Sequence, residues 1–222
     1  MHARLARLVF GGTCFICRGA ARAPLCEECD ADLPRLRGPL CPRCALDSPA
    51  GAICGRCLAQ PPHYDATIAA LGYAFPADAL VHALKFRGEL ALAPFLGKLI
   101  LEKISPGSVD CVIPVPLSTQ RLRERGYNQA VEIARHLGGR LEIDSCSRER
   151  DAPPQAGLDR EARRRNVRGA FRCDRSFAGE RVALVDDVMT TGATLDELAR
   201  ALKTAGAASV TNWVVCRTRS DV

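Results

Sequence analysis

The chain has 222 residues, 47% of them hydrophobic, which suits one medium domain or a large domain beside a small one and excludes a disordered chain. A net charge of +6, mostly from arginine, is compatible with anionic ligands, nucleotides and nucleic acid alike, and is too modest to choose between them. No run approaches transmembrane length, and His2 to Phe10, with Leu5, Leu8 and Val9 on one helical face, is too brief for the apolar core of a signal peptide. The expected location is the cytoplasm, where thiols stay reduced and paired cysteines serve as metal ligands rather than disulfides.

Eight of the twelve cysteines form four Cys-x-x-Cys pairs in the first quarter of the chain: Cys14/Cys17, Cys26/Cys29, Cys41/Cys44 and Cys54/Cys57. Two thiolates at that spacing hold one side of a tetrahedron, so two pairs complete a closed four-thiolate zinc site and four pairs predict two zinc ions. Eight residues separate Cys17 from Cys26 and nine separate Cys44 from Cys54. Short loops cost less entropy to close, which favours sequential pairing as two zinc ribbons; a crossed arrangement stays open. With no ligand position to spare, both zincs read as structural, and a head poor in large apolar side chains needs metal to fold. The other four cysteines, Cys111, Cys146, Cys173 and Cys216, lack metal spacing and read as core residues.

Pro61-Pro62 marks a junction, which divides the chain into residues 1–60 and 61–222. Beyond it, Thr67 to Phe75 suits a strand, Ala79 to Phe86 a short helix, and Leu92, Phe95, Leu96, Leu99 and Ile100 the apolar face of another helix. Lys85-Phe86-Arg87-Gly88 reads as the link between these helices, and Lys85 as a loop cation available to a nucleic acid. Asp110 to Ile113 is a second strand, stopped by Pro114-Val115-Pro116, where the backbone must turn. Arg121, Arg123 and Arg125 follow that turn and suit a polyanion. Ala130, Ile133, Ala134 and Leu137 mark a helix after Gly126-Tyr127-Asn128-Gln129.

Arg148 to Phe171 shows no period and concentrates charge in Arg160, Arg163, Arg164, Arg165 and Arg168, as expected of a linker or a lid. Val182 to Val185 is an unbroken apolar run, the mark of a parallel strand covered on both faces. Asp186-Asp187-Val188-Met189-Thr190-Thr191-Gly192-Ala193-Thr194 follows, then a helix carrying Leu195, Leu198, Ala199 and Leu202. Thr190 to Thr194 can offer consecutive N–H groups and hydroxyls to a phosphate at a helix N-terminus, with Gly192 allowing close approach. Asp186 and Asp187 only accept, so they suit hydroxyls beside that phosphate. A sugar phosphate meets both demands. Val210 to Cys216 reads as the last strand, with Trp213 at the core.

This acidic, hydroxyl-rich stretch closely resembles the 5-phosphoribosyl-1-pyrophosphate (PRPP) motif of type I phosphoribosyltransferases. That resemblance implies that Asp186 and Asp187 hold the ribose 2′ and 3′ hydroxyls, while Thr190, Thr191, Gly192, Ala193 and Thr194 hold the 5′-phosphate. By the same resemblance Pro114, Val115, Arg121 and Arg125 form the pyrophosphate side, and Mg2+ bridges pyrophosphate and ribose oxygens. Taken with the cysteine head, Arg125 to Gln129, Gln155-Ala156-Gly157-Leu158, Arg163, Asn166 and Gly169-Ala170-Phe171, nearly the whole chain resembles the ComF family. This implies an α/β fold, a type I phosphoribosyltransferase-like, mostly parallel sheet flanked by helices and preceded by a small zinc-ribbon domain, in proteins linked to DNA uptake during natural transformation.

Some purine-salvage relatives carry a carboxylate where this chain has Thr190, which cannot act as a general base, so purine specificity does not carry over. Two readings follow. One is a PRPP-binding protein, either a phosphoribosyltransferase with an unnamed acceptor or a sensor. The other is a non-catalytic competence accessory module, partnered by competence proteins, in which the zinc head and the Arg121 to Arg125 and Arg160 to Arg168 clusters hold single-stranded DNA, with Lys85, Arg163, Arg164 and Arg165 as candidate contacts. With 5% aromatic residues there are few platforms for stacked bases, so DNA binding would lean on phosphate contacts.

Overall fold

The computed structural model describes residues 12–149 and 167–219. Its centre is a parallel sheet of β1 (Ala66–Gly72), β2 (Cys111–Pro114), β5 (Arg181–Met189) and β6 (Ser209–Arg217), in the spatial order β1-β6-β5-β2. A parallel bridge between Val112 and Leu141 extends it past β2. A separate antiparallel ribbon pairs β3 (Cys146–Arg148) with β4 (Phe171–Cys173). In the head lie two short helices, α1 (Glu27–Ala31) and α2 (Gly55–Ala59). The rest of the chain adds α3 (Ala77–Phe86), α4 (Ala93–Leu101), α5 (Thr119–Arg125), α6 (Gln129–Ala134) and α7 (Ala193–Thr204). Among the described residues no helix is long and apolar enough to cross a membrane.

The two faces of the sheet bury different helices, and strand alternation decides which residue goes where. Ala183, Val185, Trp213 and Val215 pack on one face with Leu80 and Leu84 of α3, Leu96 and Ile100 of α4 and Ile133 of α6. Val182, Leu184, Val210 and Val214 pack on the other with Leu195, Leu198 and Leu202 of α7. The unbroken run Val182 to Val185 is fully buried because both faces are covered.

The head straddles the β1 edge of the sheet. Its first half brings Cys14, Leu25, Cys29 and Leu33 to the α3 face, and its second half brings Leu36, Cys41, Cys44 and Cys57 to the α7 face. Residues 34–42 cross the edge and pair with it: Gly72 N–H donates to Pro34 O (2.7 Å), Leu36 N–H to Ala70 O (3.4 Å) and Thr67 N–H to Pro42 O (2.9 Å). An open edge is a template for unwanted pairing, and here the head occupies it. The head therefore buries its few apolar side chains in a core that it shares with the sheet.

Two local expectations change. Arg121 and Arg125 stand on helix α5 rather than on a loop, because Ser118 caps its start by accepting from Arg121 N–H (3.3 Å) and Gly126 closes it in the left-handed region at φ 79°. Arginine is a good helix former, and no apolar period announced this helix. Lys85, claimed by both the expected helix Ala79 to Phe86 and the expected link Lys85 to Gly88, lies in the last turn of α3, so the link begins after it. The ribbon at the ends of the aperiodic segment was unforeseen, since three-residue strands are too short to show alternation. Cys146 and Cys173 face each other across it with Sγ atoms 3.3 Å apart, while Cys111 and Cys216 are buried in the core.

Candidate functional site

The last residues of β5 meet a cavity of about 890 Å3 at the carboxyl ends of the strands, where open α/β sheets bind ligands. Alternation puts Asp187 on the face of Val185, the α3 face, and Lys85 reaches it from the last turn of that helix with Nζ 3.0 Å from Oδ2. Asp186 Oδ1 accepts from Asp187 N–H (2.9 Å) and Asp187 Oδ1 from Val188 N–H (2.9 Å), so each carboxylate uses one oxygen to satisfy the strand's end. The second oxygens remain for other partners. Asp187 Oδ2 is buried and, apart from its charge contact with Lys85, has no aligned hydrogen-bond donor.

The two carboxyls differ in acidity. Burial, reinforced by the charge on Asp187, pushes the Asp186 carboxyl well above the usual carboxylate range. Burial acts the same way on Asp187, but the charge and contact of Lys85 override it and hold this carboxyl below its ordinary value. Lys85 is raised in turn, the two carboxylates outweighing its own burial. Of the two, Asp187, held by Lys85, is thus the stronger acid.

Opposite the doublet stand Arg121 and Arg125, one helical turn apart on α5. Arg125 lies over the Phe86 ring at 5.4 Å and donates to Gln129 Oε1 (2.7 Å). The segment Tyr127-Asn128 braces this wall: Tyr127 Oη donates to Leu84 O, and Asn128 Nδ2 donates to Val115 O (3.0 Å). Val115 N–H is occupied by Val185 O at 2.9 Å, so Val115 meets the cavity with its side chain only, and Pro114 stays in β2 away from it.

Thr190 and Thr194 line the cavity, whereas Thr191 and Gly192 line a smaller void beside Tyr64 and Asp196, and Ala193 is buried at the start of α7. Ala193 N–H bonds Thr191 Oγ1 (3.3 Å); among the described residues the N–H groups of Thr190, Thr191 and Gly192 meet no acceptor. Arg163, Arg164 and Arg165 lie outside the described residues. Sequence reasoning missed Tyr73, His82, Glu124 and Arg148, which also line the cavity; they come from four distant segments, and only folding collects them.

Gly192 has a steric reason to be glycine. It sits at φ 81°, and an added Cβ would lie 2.7 Å from Met189 Cε and 3.1 Å from Tyr64 Oη. Both neighbours are buried, so Gly192→Ala is expected to cost about 1–3 kcal/mol, read as a lower urea midpoint with zinc content unchanged. An unaltered midpoint would show that the turn tolerates side chains.

In the head the knuckles pair in sequence, Cys14, Cys17, Cys26 and Cys29 in one quartet and Cys41, Cys44, Cys54 and Cys57 in the other, each with its ligand atoms within 4.8 Å of one another. Sγ atoms of Cys17 and Cys26 are 3.6 Å apart, and those of Cys44 and Cys54 3.7 Å. A tetrahedron with Zn–S bonds of about 2.3 Å has edges of about 3.8 Å, so both quartets fit zinc. Burial alone would push the Cys14 and Cys41 thiols up, but backbone N–H groups around each outweigh it and bring both down to about 6, toward the thiolates that zinc takes.

Comparison with known proteins agrees with this geometry. Residues 5–58 match the double zinc ribbon domain and residues 122–222 the phosphoribosyl transferase domain. The chain is 36% identical to the DNA utilization protein YhgH of Salmonella typhi over 220 residues, covering 93% of this chain and 91% of that protein. It is 31% identical to competence protein F of Haemophilus influenzae, covering 94% of this chain and 98% of that protein. Competence protein ComFC of Bacillus subtilis is 31% identical over 145 residues, covering 60% of this chain and 56% of that protein.

Proposed function

Because the chain belongs to the ComF family, a double zinc ribbon followed by a phosphoribosyl transferase domain, we propose that the cavity at the end of β5 binds PRPP or a related ribose phosphate. We further propose the cytoplasm as its location and DNA uptake in natural competence as its setting, the latter in line with the names of its relatives. Residues 1–60 then form the zinc-bearing unit and 61–222 the ligand-binding unit.

The observation that carries this reading is the convergence on one cavity of the acidic doublet, Thr190 and Thr194 at the two ends of the turn, and Arg121 and Arg125 of α5. Ribose hydroxyls donate to Asp186 and Asp187, and the second oxygen of Asp187 has no aligned donor from the protein. The 5′-phosphate accepts from the N–H groups and hydroxyls of the turn at the start of α7. Arg121 and Arg125 neutralise a pyrophosphate on the opposite wall, and the turn at Val115 contributes shape rather than donors.

Hard cations take oxygen ligands and share them with substrate phosphates, so Asp186 and Asp187 fit Mg2+ brought in with PRPP. When bound, the ion would neutralise charge on the pyrophosphate. If the C1–oxygen bond to pyrophosphate breaks here, Arg121 and Arg125 stabilise the charge that grows on the leaving group, while the doublet fixes the ring so that an acceptor meets C1.

PRPP with Mg2+ at a hundredfold excess over its Kd should stabilise the fold by about 2.7 kcal/mol. For a chain of this size that raises Tm by roughly 5–10 °C. No rise with PRPP, together with a rise on adding single-stranded DNA, would replace this reading with the DNA-binding module.

A further inference from the structure

Arg217, the last residue of β6, is 1% exposed and spans two parts of the molecule. Its Nε donates to the carbonyl of Cys44 at 2.8 Å. Its Nη1 donates to the carbonyls of Met189 (2.9 Å) and Thr218 (3.0 Å), and also to that of Thr190. Cys44 is a ligand of the second cysteine quartet, and Met189 and Thr190 open the turn that follows the acidic doublet. One guanidinium thus joins a metal knuckle to that turn.

The direction of these bonds matters. In a trans peptide the carbonyl and the next N–H point opposite ways. Drawing the carbonyls of Met189 and Thr190 back onto Arg217 turns the N–H groups of Thr190 and Thr191 away from it, and these are two of the N–H groups that meet no acceptor among the described residues. A zinc bound by four thiolates carries two net negative charges, which complements a buried guanidinium on the same knuckle. The neighbourhood is braced again on that side. Tyr64 packs at Gly192, while His63 N–H donates to Asp196 Oδ1 (2.7 Å) and its ring Nδ1 lies 3.0 Å from the same oxygen. The first quartet packs on the opposite face of the sheet.

We propose that Arg217 is a positioning residue that couples the second zinc site to the phosphate-binding turn, so that this zinc, and not the first, presents the turn's amides to the ligand. The proposal rests on the reading of the cavity as a ribose-phosphate site. Coupling between sites is reciprocal in affinity, so PRPP must tighten the second zinc as the second zinc tightens PRPP, and such a gain in affinity falls mainly on the rate of zinc release.

The test follows zinc transfer from the two-zinc protein to a chromogenic chelator, with and without PRPP and Mg2+, in wild type and in Arg217→Lys. Lysine keeps the charge but lacks the fork that reaches Cys44 and the turn together. In wild type, PRPP should slow the release of one zinc of the two by tenfold or more. Arg217→Lys should retain two zincs, bind PRPP at least tenfold more weakly and lose that protection. PRPP slowing neither zinc or both alike, or a folded Arg217→Lys that binds as wild type, would overturn the coupling. If wild type binds no PRPP, the reading of the cavity falls instead. The tie is then read without ligand: Arg217→Lys should release one zinc faster, and unchanged rates for both would overturn it. Should Arg217→Lys not fold, the wild-type release pattern alone decides.

Discussion

Asp186→Asn should leave the fold nearly as stable as wild type while weakening PRPP binding tenfold or more, and Asp187→Asn should damage both. The asymmetry comes from charge. Burial and its neighbour keep the Asp186 carboxyl well above the usual range, so an amide replaces a group that already favours its neutral form, and the bond from Asp187 N–H to Oδ1 survives. Asp187 is the ionised partner of Lys85, with a side chain only 3% exposed. Removing it leaves Lys85 uncompensated, and breaking a buried pair costs about 3–5 kcal/mol. Lys85 is 28% exposed and keeps Asp186 close, so the lower end, about 3 kcal/mol, is expected. Ionised Asp187 gives a ribose hydroxyl a charge-assisted bond worth about 1.5–3 kcal/mol, and Mg2+ arriving with PRPP would favour the ionised form of Asp186 as well, so either amide loses such a bond in the complex. Urea midpoints and PRPP titrations on both variants check this. Equal stability losses would show that the doublet's charge is shared rather than divided.

Stripping zinc should be more damaging than any single substitution. Structural zinc contributes about 10–16 kcal/mol of apparent folding free energy per site in isolated zinc peptides. Here the quartets are also part of the domain core: Cys14 and Cys29 pack with one face of the sheet and Cys41, Cys44 and Cys57 with the other. Metal analysis should return about two zinc atoms per chain. Chelation should unfold the head and expose the β1 edge that residues 34–42 cover, so Tm should fall steeply and aggregation through the open strand should follow. A chelated protein with unchanged Tm would remove zinc from the account of the fold.

Much of this was legible in the sequence because it is local. The run Val182 to Val185 announced a strand covered on both faces, and four Cys-x-x-Cys pairs announced two metal sites; loop length favoured the sequential pairing without excluding the crossed one. Other facts were not legible. Short elements without a period, such as α5 and the β3–β4 ribbon, leave no hydrophobic signal, although Ser118 and Gly126 did bracket α5 with capping chemistry. Contacts across more than a hundred positions depend on packing alone. Nothing near Lys85 pointed to Asp187, and nothing near Arg217 pointed to Cys44. The head's seat across the β1 edge was hidden for a different reason: its partners are backbone groups that every sequence offers.

Calorimetric titration of the two-zinc protein with PRPP and Mg2+, run beside Asp186→Asn, bears most directly on the ribose-phosphate site. Saturable heat at one ligand per chain in wild type, with a Kd at least tenfold weaker in the variant, is the expected result. No saturable heat in wild type, or the same Kd in both proteins, would contradict it.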